Sequence, residues 1–169
     1  MTIFIEAMDS PLGPIEIEAS EDGVTRVEFV TQQSIEVNTN AHTTACKQQL
    51  QEYFNGNRRE FDLALAPQGT DFQQLVWQQL SLIPFGISLC YGDIARRLDN
   101  PKAVRAVGKA NGQNPISVIV PCHRVIGKDR SLTGYAGGVA LKAWLLRHEG
   151  IYFSEQNSES QSDLFDSEA

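Results

Sequence analysis

The sequence predicts an α/β N-terminal domain, a three-stranded antiparallel sheet plus a helix, followed by a mainly helical C-terminal domain containing a helix-turn-helix. Three observations carry this prediction. Ile15 and Ile17 alternate with Glu16 and Glu18 between turn signals, the pattern of a half-buried strand. Thr70 followed by Gln73 fits a capping box ahead of an apolar stripe at helical spacing. Two short helical patterns then flank the tight turn Asp99-Asn100-Pro101, the layout of a helix-turn-helix.

In order along the chain, Ser10-Pro11-Leu12-Gly13-Pro14 and Asp22-Gly23 divide the first thirty residues into three extended runs ending near Val30. A helix is expected around 42–54, stopped by Asn55-Gly56-Asn57, and Phe61, Leu63 and Leu65 alternate as a further strand. Pro67-Gln68-Gly69 marks the boundary between a domain over 1–69 and one over 70–153. Phe72, Leu75, Val76, Leu80 and Ile83 make the buried stripe of the next helix, with Trp77 as a packing residue, and Pro84-Phe85-Gly86 ends it. Tyr91 to Leu98 and Lys102 to about Ala110 form the helix-turn-helix, with Val104 and Val107 sharing a buried face. The apolar run Ile116 to Val120 reads as a strand that delivers Pro121-Cys122-His123-Arg124. Leu141, Trp144, Leu145 and His148 fall at helical spacing, with Gly150 placed as the stop. Residues 154–169, rich in Ser, Gln, Glu and Asp, are expected to be a disordered tail.

A net charge of -7 looks wrong for contact with DNA, whose phosphates attract cations, but the charge is unevenly spread. Residues 1–90 hold 4 Lys/Arg against 12 Asp/Glu, whereas 91–148 hold 10 against 3. That asymmetry is a hint of nucleic-acid contact, equally compatible with a solvated basic face. No apolar run is long enough for a membrane span, and the N-terminus lacks a basic region followed by an apolar stretch, so a cytoplasmic protein is expected. Cys46, Cys90 and Cys122 are an odd number without CxxC spacing, which argues against a disulfide framework and a cysteine-rich zinc site. No metal or cofactor is expected. Cys46 and Cys90 read as packing residues.

Cys122 reads as a nucleophile. A free cysteine has a pKa of about 8.5, so it needs neighbours that favour the thiolate, and His123, Arg124 and Lys128 are candidates. Adjacent side chains on a strand point to opposite faces, so transfer of a proton from Cys122 to His123 needs an irregular backbone or a bridging water.

The segment around this cysteine resembles the active-site signature of the O6-alkylguanine-DNA alkyltransferases. The match runs from Asn114-Pro115 through Pro121-Cys122-His123-Arg124 and Tyr135-Ala136-Gly137-Gly138 to Trp144-Leu145-Leu146-Arg147-His148-Glu149-Gly150, densely over residues 70–151 and loosely before that. The resemblance implies a ribonuclease-H-like N-terminal domain and a suicide alkyltransferase that flips alkylated bases out of double-stranded DNA and moves the alkyl group irreversibly to Cys122. By resemblance, Glu149 orients His123, His123 polarises a water bonded to Cys122, and Asn114 supports the active-site turn. Tyr91 rotates the target nucleotide and donates to the departing guanine, and Arg105 fills the gap left by the flipped base. Lys102, Ala106, Lys109 and Arg124 join Arg105 among the DNA-contacting residues, in a helix of small residues and cations expected to enter the minor groove. The Val125 carbonyl, Tyr135, Ala136 and Gly137 line the base pocket; Ala136 stands where some relatives have a hydroxyl residue, and the preference among methyl, larger alkyl and O4-alkylthymine lesions stays open.

Some relatives bind zinc in the N-terminal domain, but His42, Cys46 and Cys90 are too few at suitable spacing. No obligate protein partner is implied, and a monomer is expected. Two other classes could carry a Cys-His pair. Alkyltransferase-like lesion binders replace the cysteine, which is present here, and a Cys-His-Glu hydrolase would have no use for the helix-turn-helix and its arginine.

Overall fold

A computed structural model describes residues 2–34, 36–135 and 137–154. Ile35, Ala136 and the tail from 155 onward lie outside the described residues, so the expectations for Ala136 and for the disordered tail are not addressed by it. Two compact units are present. One comprises the chain up to Gly69 together with Pro115–Ile119; the other comprises Thr70–Asn114 and the chain from Val120 on.

The first unit is the expected meander. Strands β1 (Phe4–Met8), β2 (Ile15–Ala19) and β3 (Val24–Phe29) form an antiparallel sheet in the order β1-β2-β3. Ile15, Ile17 and Ala19 of the central strand are buried while Glu16 and Glu18 stand on the other face, so the alternation of the sequence becomes two faces of a sheet. Arg26, paired in register with Glu18, bonds Glu16 and Glu18 at 2.7 Å each and also Glu28, which offsets part of the charge of that acidic face. Helix α1 (Ala41–Phe54) begins at an Asn40–Thr43 capping box and buries Thr43, Cys46, Leu50 and Tyr53. Burial pushes the Cys46 thiol up to about 12, as suits a packing residue.

Two expected strands are absent. Phe61, Leu63 and Leu65 lie in an extended segment that makes a single parallel bridge, Val24 to Leu65. Gly23 permits this close approach, since a Cβ there would sit 2.6 Å from the Ala64 carbonyl oxygen. The run 116–120 is likewise no strand. Ile116 makes one bridge to Val27, and the chain then turns through Ser117–Ile119 with Val118 at φ 72. Its apolar character serves burial in the core rather than a ladder, because short apolar runs carry no periodicity that separates the two.

In the second unit, α2 (Asp71–Ser81) starts at the predicted Thr70–Gln73 capping box. Val76, Trp77, Leu80 and Ile83 are buried, and the Trp77 indole donates to the Ala110 carbonyl at 2.9 Å. Leu75, expected in the stripe, is instead exposed. Helix α3 (Tyr91–Arg97) follows β4 (Leu89–Cys90) and ends in a Schellman turn, with Asp99 at φ 58 and Asn100 N–H bonded to Ala95 O at 3.0 Å. Helix α4 (Val104–Gly112) starts two residues later than expected, so Lys102 and Ala103 belong to the turn. Val107, Ala110 and Asn111 form its buried face, and Val104 is exposed rather than sharing that face.

Cys122–Arg124 form one turn of 3-10 helix, followed by β5 (Val125–Ile126), which pairs in parallel with β4. Helix α5 (Val139–His148) buries Lys142, Ala143, Leu145 and Leu146. Of the expected stripe only Leu145 is fully buried; Leu141, Trp144 and His148 are half-buried, with the Trp144 and His148 rings stacked at 4.9 Å. The helix closes on Gly150 at φ +74, with Gly150 N–H bonded to Arg147 O and Ile151 N–H to Leu146 O in the Schellman pattern. Ile151 and Leu146 pack in the same core cluster, the hydrophobic contact that accompanies this cap.

Gly150→Ala forces an L-residue into the left-handed region and should lower stability by about 1 to 2 kcal/mol. The midpoint of urea denaturation should fall with an unchanged slope.

Candidate active site

The site is built where the 3-10 turn, the end of α5 and the start of α3 meet within the second unit. Because the backbone at Cys122 is a tight helical turn, the strand geometry that would send Cys122 and His123 to opposite faces does not apply. Asn114 holds the turn, its amide donating to Val120 O at 2.8 Å, and Asn111 from α4 donates to Cys122 O at 3.5 Å. Cys122, His123, Arg124 and Glu149 are all buried.

Glu149 is the acceptor for two residues of that turn. Its Oε2 lies 2.8 Å from His123 Nε2, while Arg124 Nε donates to Oε1 at 2.6 Å and an Arg124 terminal nitrogen to Oε2 at 3.0 Å. A carboxylate only accepts, so His123 carries its proton on Nε2. His123 Nδ1 is thereby left as an acceptor, and among the described residues no protein atom bonds it. Burial lowers the His123 pKa against the pull of Glu149, with Arg124 and Lys142 adding to the decrease, so the imidazole is neutral at rest. Despite burial, which works the other way, the bonds and charges of His123 and Arg124 hold Glu149 down at about 2.

Burial likewise pushes the Cys122 thiol up, offset by the Asn114 side chain and by the charge of Lys142. Cys122 therefore rests as a thiol. Arg124 and Lys128 are not the cations that favour its ionisation. Lys128 is exposed on the loop after β5, and Arg124 is spent on Glu149 and on Ile83 O at 2.6 Å. The expectation that Arg124 contacts DNA is corrected for the same reason: it is 5 % exposed with its guanidinium turned inward. Lys142 takes the electrostatic place that the sequence offered to Arg124 and Lys128. No local signal reveals it, since a lysine one position after Leu141 reads as the polar face of α5.

Tyr91 borders an open cleft of about 750 Å³ lined also by Val104, Arg105, Gly108, Gly112, Thr133, Gly134 and Tyr135. The Tyr91 hydroxyl meets Thr133 Oγ1 at 2.9 Å. Burial holds the phenol above its ordinary range, with the Cys122 sulfur pushing the same way against the bond to Thr133, so Tyr91 stays a protonated donor. Lys102, Arg105, Ala106 and Lys109 are exposed on and before α4, and Gly137 is exposed beside the cleft loop. Val125 is buried in β5 with its carbonyl accepting from Lys142 Nζ at 2.7 Å. His42 meets the Glu21 carbonyl at 3.1 Å, a partner its position in the sequence does not suggest, and no His/Cys/Asp/Glu group suited to a metal occurs among the described residues.

Glu149 titrates lower in the folded protein than in the unfolded chain, so its contribution is present above about pH 4.5 and is lost as pH falls through about 2. We expect about 3 kcal/mol of stability to disappear across that window, as the shift converts at about 1.4 kcal/mol per pH unit. Glu149→Gln should cost about 3 to 5 kcal/mol at pH 7 by leaving Arg124 buried and unpaired, and should flatten the acid limb. Urea denaturation at a series of pH values measures both.

Comparison with known proteins places this geometry. The family described as 6-O-methylguanine DNA methyltransferase matches twice, through its ribonuclease-like domain over residues 3–67 and its DNA binding domain over residues 71–151. A methylated-DNA--protein-cysteine methyltransferase of Methanosarcina acetivorans is 45% identical over 154 residues, spanning 88% of this chain and 99% of that protein. A constitutive one from Bacillus subtilis is 47% identical over 159 residues, 88% of this chain and 96% of its own. The crystal structure of Mycobacterium tuberculosis OGT in complex with DNA superposes with a TM-score of 0.79 at 43% identity, covering 86% of this chain and 92% of that one. The chain belongs to the 6-O-methylguanine DNA methyltransferase family.

Proposed function

We propose that this protein repairs O6-alkylguanine in double-stranded DNA by moving the alkyl group to the sulfur of Cys122, once per molecule. The observation that carries the reading is the buried Cys122-His123 turn whose histidine is oriented by Glu149 at 2.8 Å, next to Tyr91 and a cleft bordered by Arg105. In this reading the part over 70–153 binds DNA and accepts the alkyl group, and the part over 1–69 supports it. The protein acts as a cytoplasmic monomer without a metal or an obligate protein partner. No helix among the described residues is long and apolar enough to cross a membrane.

The chemistry follows from the geometry. The O6 substituent of a stacked guanine lies inside the duplex, so a buried sulfur reaches it only when the nucleotide is turned out, at a cost of a few kcal/mol. Arg105, exposed on α4, fills the space left in the stack, while Lys102 and Lys109 meet phosphates and Ala106 lets the helix approach closely. Tyr91, Tyr135, Ala136, Gly137 and the Val125 carbonyl receive the base. The Cys122 thiol gives its proton through a water to Nδ1 of His123, and Glu149 steadies the imidazolium that results. The thiolate attacks the alkyl carbon, a C–S bond forms, and the C–O6 bond breaks with its electron pair passing to the guanine oxygen. Tyr91 donates to that oxygen, and the proton taken from the thiol neutralises the departing base. The product thioether carries no carbonyl for water to attack, so nothing returns the thiol.

Incubation with duplex carrying O6-methylguanine should add one methyl group to the peptide containing Cys122, read by mass spectrometry. An unmodified peptide alongside tight lesion binding would defeat the reading. Arg105→Ala should slow repair of duplex by tenfold or more, as flipping loses its filler, and leave transfer from free O6-benzylguanine within about twofold. Equal losses on both substrates would remove the flipping role.

A further inference from the structure

We propose that Lys142 is a positioning residue for the alkyl transfer: its buried ammonium clamps the carbonyls of Val125 and Thr133 and supplies the positive charge that an ionised Cys122 requires. The inference rests on the reading of Cys122 as the alkyl acceptor. Lys142 is 0 % exposed, and a lysine is almost never fully buried unless paired. Among the described residues no carboxylate lies within ion-pair distance of it. Its Nζ donates instead to Val125 O at 2.7 Å and to Thr133 O at 2.9 Å.

These two acceptors belong to different parts of the site. Val125 follows the Cys122 turn directly, and Thr133 stands on the cleft wall, where its hydroxyl meets Tyr91. Lys142 therefore ties the turn that carries the sulfur to the wall that would hold the base. Carbonyl dipoles alone leave a full buried charge undercompensated. The other ionisable groups around it do not complete the balance. Glu149 is matched by Arg124, His123 is neutral, and Tyr91 is protonated. With Arg124 and Lys142 positive and Glu149 negative, the buried centre carries one positive charge in excess, and passing the thiol proton to His123 leaves that total unchanged while giving Lys142 a thiolate as its counter-charge. Burial brings Lys142 down to about 8, with the Cys122 sulfur holding it up, so it is mostly charged at neutral pH. The same charge lowers the thiol of Cys122 and disfavours a protonated His123 at rest. During transfer Lys142 keeps its proton, while the thiol proton follows the His123 route.

The test is the pH dependence of Cys122 reactivity in the wild type, Lys142→Met and Lys142→Gln. It is measured with iodoacetamide by peptide mapping and, separately, with O6-methylguanine duplex. We expect the thiol midpoint to rise by about one pH unit in both variants, hence labelling about tenfold slower at pH 7. A rate that falls by one factor at every pH, with the midpoint unmoved, would overturn the electrostatic role. If neither variant folds, the Lys142 side-chain resonance is titrated in the wild-type protein before and after methylation of Cys122. Coupling is reciprocal, so its midpoint should fall once the thiol can no longer ionise, and an unmoved midpoint overturns the proposal. The iodoacetamide measurement needs no DNA. A wild-type protein that leaves the methylated duplex untouched would therefore defeat the proposed function while the thiol titration still reports on Lys142.

Discussion

Glu149 is buried at the C-terminus of α5, where the helix dipole disfavours a carboxylate by a few tenths of a kcal/mol and burial disfavours it far more. It is held there by three bonds from two consecutive residues, His123 and Arg124. The constraint works in both directions. The Schellman turn at Gly150 aims the carboxylate, and the carboxylate fixes the 3-10 turn from 26 residues away, so that the sulfur of Cys122 and Nδ1 of His123 have defined places. Removing Glu149 or Arg124 would leave the other's buried charge without a counterpart, and removing His123 would take one of the bonds that hold the carboxylate.

The electrostatics of the centre explain why a thiol, rather than a standing thiolate, is compatible with a reactive site. Burial alone would keep Cys122 protonated, His123 neutral and Lys142 reluctant to hold its charge. Ionising the sulfur relieves two of these penalties together, because the negative charge forms beside a cation that lacks one. The site thus holds a buried cation, Lys142, whose missing counter-charge the thiolate supplies while the proton stays within the centre on His123. A base entering the cleft and displacing bulk water would strengthen each of these interactions by lowering the local dielectric.

The basic stretch around α4 is governed by different forces. The cations on and before α4 are exposed and separated by small residues, and the acidic face of the N-terminal sheet is partly offset by Arg26. A negatively charged chain can therefore present a basic helix without contradiction, since residues 1–90 hold 12 of its acids and residues 91–148 hold 10 of its cations.

Much of this was legible in the residues alone wherever the signal is local. Alternation at Ile15–Glu18, the Thr70–Gln73 and Gly150 caps and the tight turn at Asp99 each depend on neighbours within a few residues, and each appears in the structure. The Pro-Cys-His-Arg signature and Glu149 likewise marked the centre and the family. Only tertiary structure decided the rest, because it depends on groups distant in sequence. Segments 61–65 and 116–120 are apolar enough for strands but find one bridge each. Leu75 and Val104 lie at helical spacing yet meet no neighbour that buries them. Arg124 reads as a surface cation until Glu149 and the Ile83 carbonyl draw it inward, and Lys142 reads as a solvated lysine until the Val125 and Thr133 carbonyls enclose it. A charged side chain announces its type in the sequence, but its burial is fixed by partners that only the fold brings within 3 Å.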